Sequence, residues 1–145
     1  MRRHIVLRVV AKMLIPLILL YAFYVQFHGD YGPGGGFQAG VIFAAGIILY
    51  SLVFGLQAAT AAVPPGVLRV LAVLGVLLYG GVGVATLLLG GNYLDYGVLA
   101  HEPVHGQHFG ILLIELGVGI TVSSVLVLVY FAFAGRPTLS KEEQQ

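Results

Sequence analysis

Long apolar runs separated by short polar stretches dominate the pattern along this chain. Four runs, at about residues 5–27, 37–57, 67–89 and 109–133, are almost free of charge in their centres. About 20 helical residues cross about 30 Å of hydrocarbon, because each residue rises about 1.5 Å. The pattern therefore predicts an all-α integral membrane protein, in which one domain over residues 1–145 contains four transmembrane helices and a polar tail at 135–145.

The stretches between the runs are rich in residues that end helices. The first stretch reads HGDYGPGGG at 28–36, the second contains Pro64-Pro65-Gly66, and Gly90-Gly91-Asn92 follows the third run. Glycine and proline clusters of this kind mark turns. A polar loop is expected at 93–108, and Pro16 inside the first run predicts a kink in that helix.

Composition supports a membrane protein and excludes several function classes. The chain is 59% hydrophobic and 9% charged, whereas a soluble domain carries about 25% charged residues. It has no cysteine, so disulfides and thiolate metal sites are excluded. A net charge of +1 gives no basic surface for nucleic acid. No catalytic constellation and no cofactor motif is visible, which indicates a protein that is not an enzyme by itself.

The basic residues predict how the helices are oriented. Cytoplasmic segments carry an excess of Lys and Arg. The loops at 28–36 and 93–108 contain acidic residues and no Lys or Arg. With four spans, these two loops share one side of the membrane, and the termini and the second connection share the opposite side. All seven basic residues fall on that opposite side: Arg2, Arg3, Arg8, Lys12, Arg69, Arg136 and Lys141. We therefore expect both termini in the cytoplasm, and a first helix that is retained rather than cleaved as a signal peptide.

Glu115 is the clear acidic residue within a predicted span. It lies one to two turns into the fourth predicted helix. A carboxyl group in hydrocarbon costs a few kcal/mol (about 2.5–3.5 on insertion scales) and usually marks a functional site. One interpretation is a proton or Na⁺ relay, and the other is a hydrogen-bonded residue that fixes helix packing.

Three histidines and one glutamate precede Glu115 in the segment AHEPVHGQHFG. His101, Glu102, His105 and His108 could approach one another if this segment were helical. However, Pro103 and Gly106 argue against a regular helix, and we predict loop residues and no metal site. Seven residues separate His108 from Glu115, so the two can share a helix face. This spacing makes His108 the preferred residue for passing protons toward Glu115.

The glycine-rich stretch at 28–36 superficially resembles a phosphate-binding loop. It lacks the G-x-x-x-x-G-K-[ST] order, and no strand precedes it. We predict a tight turn into the second helix, where glycines permit close packing and unusual backbone angles. His28 and Asp30 are expected to act as turn and cap residues near the positive end of that helix, and they are also candidates for a site on the outer side.

Small residues recur every fourth position inside the predicted helices. Such stripes let helix backbones approach closely. We therefore expect packing at Gly36-x₃-Gly40-x₃-Ala44, Gly81-x₃-Ala85 and Gly119-x₃-Ser123, both within the chain and against partner subunits.

The segment FHGDYGPGGGFQAGVIFAAGIIL resembles the second-helix signature of the MnhB/MrpB family, whose members are small subunits of the multisubunit Mrp-type Na⁺/H⁺ antiporter. HFGILLIELGVGITV is similar to the family's last helix. The residues that carry the signature are Gly32, Pro33, Gly34, Gly35, Gly36, Phe37 and Gly40.

The resemblance implies a subunit of a complex in a bacterial or archaeal cell membrane. Such complexes exchange cytoplasmic Na⁺ for external H⁺, and other subunits contain the long proton channels. It implies other antiporter subunits and lipid as partners, and Na⁺ and H⁺ as transported ions, but it assigns no role to Glu115. Two alternatives stay open: a homologous subunit of a complex-I-like hydrogenase or other redox complex, and a purely structural assembly subunit.

Alkaline phosphatase fusions test the predicted orientation. The enzyme is active only outside the cytoplasm, so fusions within 28–36 and 93–108 should be active, whereas a fusion at 63–66 should be inactive. Whole-cell phosphatase activity normalised to fusion protein measures this. Inactive fusions at both the glycine-rich and the histidine-rich loops would reverse the orientation.

Overall fold

A computed structural model of the protein describes residues 5–29 and 32–136. Within those residues, four helices are long and apolar enough to cross a membrane. The four-span prediction is therefore confirmed. The elements, in order, are α1 (Ile5–His28), α2 (Gly36–Phe54), the short α3 (Leu56–Ala62), α4 (Pro65–Leu88), a 3₁₀ turn (Tyr96–Leu99) and α5 (Pro103–Ala134).

The long helices form a row with α5 near its centre. Helix α5 packs along α2 on one side and along α4 on the other. Helix α1 packs on α2 and touches α5 over only a few residues, while α4 packs closely against neither α1 nor α2 in the described part of the chain. The spatial order is thus α1–α2–α5–α4, which differs from the order along the sequence and leaves two broad faces.

The two ends of the row differ in chemistry. We call the end where α1 stops and α2 starts the glycine end, because it carries the described part of 28–36. The opposite end is the basic end, since Arg8, Arg69 and Arg136 lie there. The Arg8 guanidinium lies 5.4 Å from the ring centroid of Phe54, which places the start of α1 beside the end of α2.

Glycines bring α5 into backbone contact with its neighbours. A Cβ atom built on Gly40 would lie 2.8 Å from the carbonyl oxygen of Gly119. A Cβ on Gly117 would lie 2.8 Å from the carbonyl oxygen of Gly75, on the other side of α5. The predicted stripes that contain Gly40 and Gly119 therefore pack on each other within the chain. Gly81, in contrast, has no atom of another segment within 4 Å of its Cβ position, so its stripe faces outward.

The second predicted helix is interrupted near its end. The prediction of 37–57 was too long, because α2 stops at Phe54 and Gly55 adopts a positive φ of 101°. L-residues with side chains rarely adopt this conformation, so Gly55 separates α2 from α3. Pro65 then starts α4 at a first-turn position, where a missing N–H costs nothing.

The prediction of a loop up to residue 108 was wrong. Helix α5 begins at Pro103, six residues earlier than the predicted 109. Pro103 occupies the first turn, which suits its fixed φ, and so promotes the helix that it was expected to prevent. Gly106 is compatible with the helix because the carbonyl oxygens of Tyr96 and Gly97 pack against its Cα.

A buried threonine holds the loop between α4 and α5. Thr86, which is fully buried, donates its hydroxyl to the carbonyl oxygen of Gly83 at 2.8 Å. It also accepts a hydrogen bond of 3.0 Å from the backbone N–H of Leu94, whose φ is +64°. The Tyr96 ring packs on Gly110 of α5. Burial, and then the phenols of Tyr79 and Tyr93, raise the pKa of Tyr96 above its ordinary 10.0, so its hydroxyl stays protonated near neutral pH.

Thr86→Val tests this anchor. Valine fills the same volume but leaves the Leu94 N–H without its acceptor, so we expect the folded state to lose about 1–3 kcal/mol. Thr60→Val is the matched control, because the Thr60 hydroxyl bonds only to carbonyls of its own helix. Urea unfolding in detergent measures the free energies. Equal stability of both variants would contradict the anchoring role.

Candidate functional site around Glu115

Glu115 lies at the glycine end of the row, half-buried between α5 and the α1–α2 connection. A Cβ built on Gly29 would lie 2.6 Å from both of its carboxylate oxygens. A Cβ on Gly35 would lie 2.9 Å from Oε1, and one on Gly36 would overlap the Glu115 carbonyl oxygen. These three glycines, Gly29, Gly35 and Gly36, form what we call the glycine seat: a surface without side chains that receives both the carboxylate and the backbone of Glu115.

The local sequence explains why the seat forms. The backbone N–H of Gly35 donates to the carbonyl oxygen of Val25 at 3.2 Å, which folds the connection back over the end of α1. Gly35 has a φ of 117°, which glycine tolerates and other residues rarely adopt. A side chain on Gly34 would also be obstructed, because its Cβ would lie 2.8 Å from the Val25 oxygen. The glycines thus serve close backbone packing, as the sequence predicts.

Electrostatics favour a carboxylate at this position. Gly35 is the residue before the first turn of α2. The first N–H groups of a helix have no partner within it, and they give its N-terminus a partial positive charge. The carboxylate of Glu115, beside Gly35, lies at that end. A carboxylate halfway along α2 would have no such compensation from the helix.

The histidines on α5 lie on its first turns, on the approach to Glu115. His105 and His108 belong to α5, and His101 precedes it. His108 is exposed and lies seven residues before Glu115, about 10 Å along the helix axis and on nearly the same face. The contact between His105 and Glu102 is at the surface, where His105 Nδ1 lies 3.4 Å from Glu102 Oε2 and both side chains are about three-quarters exposed.

His28, another outer candidate, packs against its own helix. The His28 ring stacks on Tyr24 with centroids 5.1 Å apart, on the exposed side of α1 and away from the buried Val25 and Gln26. Asp30 lies outside the described residues. Within 5–29 and 32–136, no group of three or more His, Asp or Glu side chains is placed to hold a metal ion.

Of the remaining signature residues, Gly32 packs within the chain, whereas Pro33 and Phe37 are exposed. Gly32 lies beside the His28 ring, whose Nε2 would be 3.1 Å from its Cβ. Pro33 and Phe37 are exposed, and Phe37 presents 63% of its surface. These two residues therefore do not support this chain's own core, and their surfaces are available to lipid or another chain.

Sequence reasoning missed two residues of this region. Gly29 contacts the carboxylate, although only later glycines were singled out. Gln26 is buried, and its amide oxygen packs against Gly119. It borders a cavity of about 320 Å³ that Ser123 and Ser124 also line. The signal for Gln26 was present in the sequence, since it is an uncharged polar residue inside the first predicted span.

Gly36→Ala tests the close approach of α2 and α5. The added methyl group would meet the backbone of Glu115, which cannot move without moving α5, so we expect a loss of about 1–3 kcal/mol from overpacking. The control is Gly80→Ala, since nothing lies within 4 Å of that Cβ position. Alanine there should be neutral or slightly stabilising, because it favours the helix. Thermal unfolding of the purified protein in detergent distinguishes them, and equal stability would contradict the packing.

Comparison with known proteins identifies the family. Residues 6–128 match the model of a domain related to the MnhB subunit of the Na⁺/H⁺ antiporter. Relatives called "Putative antiporter subunit mnhB2" from Staphylococcus aureus strains Newman, JH1 and Mu3 / ATCC 700698 are each 34% identical over 134 residues. That alignment covers 90% of this chain and 94% of each relative. The chain therefore belongs to the MnhB family of Na⁺/H⁺ antiporter subunits.

Proposed function

We propose that this chain is a small membrane subunit of a multisubunit Na⁺/H⁺ antiporter and that Glu115 lies on the path of a proton or Na⁺. The observation that carries the second part is the contact between the Glu115 carboxylate and the glycine seat. A carboxylate can take up a proton, and its oxygens are the ligand type that hard cations prefer. Both transported ions are therefore compatible with this one group.

The position of Glu115 suits an ion that arrives at the glycine end. The carboxylate is level with the end of α1 and the start of α2, so an ion need not cross the whole hydrocarbon layer to reach it. His108 is exposed on the same helix, nearer the start of α5. A histidine side chain can both accept and donate a proton, which suits proton delivery from water. We assign His108 to the approach and Glu115 to the binding step.

The chain works together with other subunits and lipid. A single row of helices encloses no pathway, and secondary transporters usually place their sites between repeats of several helices. Only 11% of an apolar 18-residue stretch of α1, and 22% of the corresponding stretch of α4, is buried within the chain. Other antiporter subunits and lipid cover the rest. The basic end is assigned to the cytoplasm of a bacterial or archaeal cell, because Lys and Arg concentrate there.

A structural role is the second candidate, and one observation favours it. The glycine seat contacts the backbone of Glu115 as well as its carboxylate, so this residue also fixes α5 against α2. In that case Glu115 would serve assembly only, and exchange would depend on its shape rather than on its charge.

Glu115→Gln separates the two roles. Glutamine retains the shape and a hydrogen-bonding oxygen but neither binds a proton near neutral pH nor carries a charge. If Glu115 is on the path, Na⁺-dependent proton exchange should fall about a hundredfold or more, the usual loss for a positioned proton-transfer group. Everted vesicles containing the assembled complex, with a pH-sensitive dye, provide the measurement.

Glu102→Gln is the matched control. Glu102 is an exposed carboxylate at the start of α5, with a surface contact to His105. The complex with Glu102→Gln should exchange Na⁺ and H⁺ at nearly the normal rate. Normal exchange by Glu115→Gln, with normal amounts of every subunit in the membrane, would refute the path and leave the structural role.

A further inference from the structure

The cavity of about 320 Å³ beside Gln26 has walls from all four long helices. We call it the Gln26 cavity, because this glutamine of α1 lies in its wall and is only 9% exposed. Its other polar side chains are Ser123 and Ser124 of α5, while Gly40 belongs to the α2 wall and Leu71 to the α4 wall. The cavity therefore lies between the helices of this chain.

The Gln26 cavity begins about one helical turn deeper in the row than the Glu115 carboxylate. Gly29, which contacts that carboxylate, follows Gln26 by three residues, just past the end of α1. The Gln26 amide oxygen packs against Gly119, which follows Glu115 by four residues on α5. Both helices thus indicate the same depth, since four helical residues correspond to about 6 Å.

The deep end of the cavity lies near the middle of the membrane span. Ser123 and Ser124 follow Glu115 by eight and nine residues, which corresponds to about 12–14 Å along α5. Glu115 is level with the start of α2, and the hydrocarbon layer is about 30 Å thick. About one turn beyond the serines, the buried Val127 and Ala44 belong to the apolar core cluster and not to the cavity wall. The cavity therefore reaches about halfway across the bilayer and stops at this core.

The buried polar groups in the wall indicate what fills the cavity. Gln26 and Ser124 are both more than nine-tenths buried, and neither side chain hydrogen bonds to another residue in the described part of the chain. Burial without a hydrogen-bond partner costs free energy. Water molecules in protein interiors typically bind two to four such groups, and the cavity has room for several, because each takes about 30 Å³.

We propose that the Gln26 cavity holds water and extends the access path from Glu115 toward the middle of the bilayer. The identity of the ion that uses this path rests on the proposed function. The Gln26 amide and the Ser124 hydroxyl hold the water at two depths. A proton or Na⁺ that leaves Glu115 stays hydrated in the cavity, and a neighbouring subunit completes the crossing.

Lipid and a partner side chain fit the cavity less well than water. An acyl chain offers no hydrogen bond to the Gln26 amide or the Ser124 hydroxyl. A side chain from a neighbouring subunit would have to enter between the helices of this chain, because α4 contributes Leu71 to the wall in addition to the residues of α1, α2 and α5. Water meets both conditions, since the molecule is small and both donates and accepts hydrogen bonds.

Cysteine accessibility tests whether the cavity holds water. The chain has no cysteine, and Ser124→Cys exchanges only the oxygen of one side chain for sulfur. Ag⁺ reacts with thiols and travels through water but not through hydrocarbon. In the assembled complex in lipid nanodiscs, Ag⁺ should block Ser124→Cys about tenfold faster than Ser51→Cys, or more, because the membrane interior has no water of its own. The thiol left for a fluorescent maleimide after denaturation, in the gel band of this subunit, measures the block.

Ser51 is the matched control for this measurement. It is 3% exposed and Ser124 is 2% exposed, so both cysteines would be equally buried. The Ser51 hydroxyl, however, is sealed within the protein, where it has no hydrogen-bond partner among the described residues, and Ser51 does not line the Gln26 cavity.

Gln26→Met tests the polar wall. Methionine keeps the length of glutamine but does not replace the hydrogen bonds of its amide, so the cavity should hold less water. Ag⁺ should then block Ser124→Cys about tenfold more slowly, and Na⁺-dependent proton exchange should fall by about the same factor in complexes with native Ser124. Gln57→Met, at an exposed position of α3, should change neither rate.

The outcomes distinguish this inference from the proposed function. Equally slow block of Ser124→Cys and Ser51→Cys would overturn the inference, and so would unchanged block and exchange rates in Gln26→Met. The loss of exchange in Glu115→Gln would still support the proposed function in either case. Normal exchange by Glu115→Gln would refute the path itself, even if Ag⁺ reached Ser124→Cys rapidly.

Discussion

The approach of α5 to the α1–α2 connection is the contact on which the rest of the structure depends. Gly29, Gly35 and Gly36 present bare backbone to one side chain and one carbonyl group of α5. A methyl group at Gly36 would push α5 away from α2, and the cross-contact of Gly40 with Gly119 one turn further along would open with it. Van der Waals packing between backbones replaces the hydrophobic effect here, because lipid tails are as apolar as the helices.

This contact also explains why the helices form a row. Helix α5 uses Gly119 toward α2 and Gly117 toward α4, so small residues on two sides of one helix hold two neighbours. In the described part of the chain, α1 and α4 do not pack closely on each other, although both help to line the Gln26 cavity, and each has apolar side chains exposed on its surface. A chain built in this way has one well-packed central helix and two open faces, which suits a subunit that is incomplete without neighbours.

Much of this architecture could be predicted from the sequence, because hydrocarbon imposes a length and an apolar composition on each span. The four spans were predictable in that way. Glycine clustering predicted the turn, and the spacing of small residues predicted the stripes that contain Gly40 and Gly119, but not that these two stripes pack on each other. The start of α5 was not, because Pro103 and Gly106 suggest a loop when read alone. Their helical conformation depends on contacts with Tyr96 and Gly97, which are adjacent in space only after the α4–α5 loop folds.

The candidate site was only half predictable for a similar reason. Glu115 stands out because a charged residue in an apolar run is rare, whereas a glycine such as Gly29 carries no signal about which distant side chain touches it.

The location of Glu115 lowers the free-energy cost of placing a carboxylate in a membrane protein. Hydration falls and the cost of charge rises toward the bilayer centre. Glu115 avoids that region, since it lies level with the first residues of α2 and beside the positive end of that helix. The N-terminus of α2 therefore lowers the cost of a negative charge at Glu115, and the ion path that we propose starts at the glycine end.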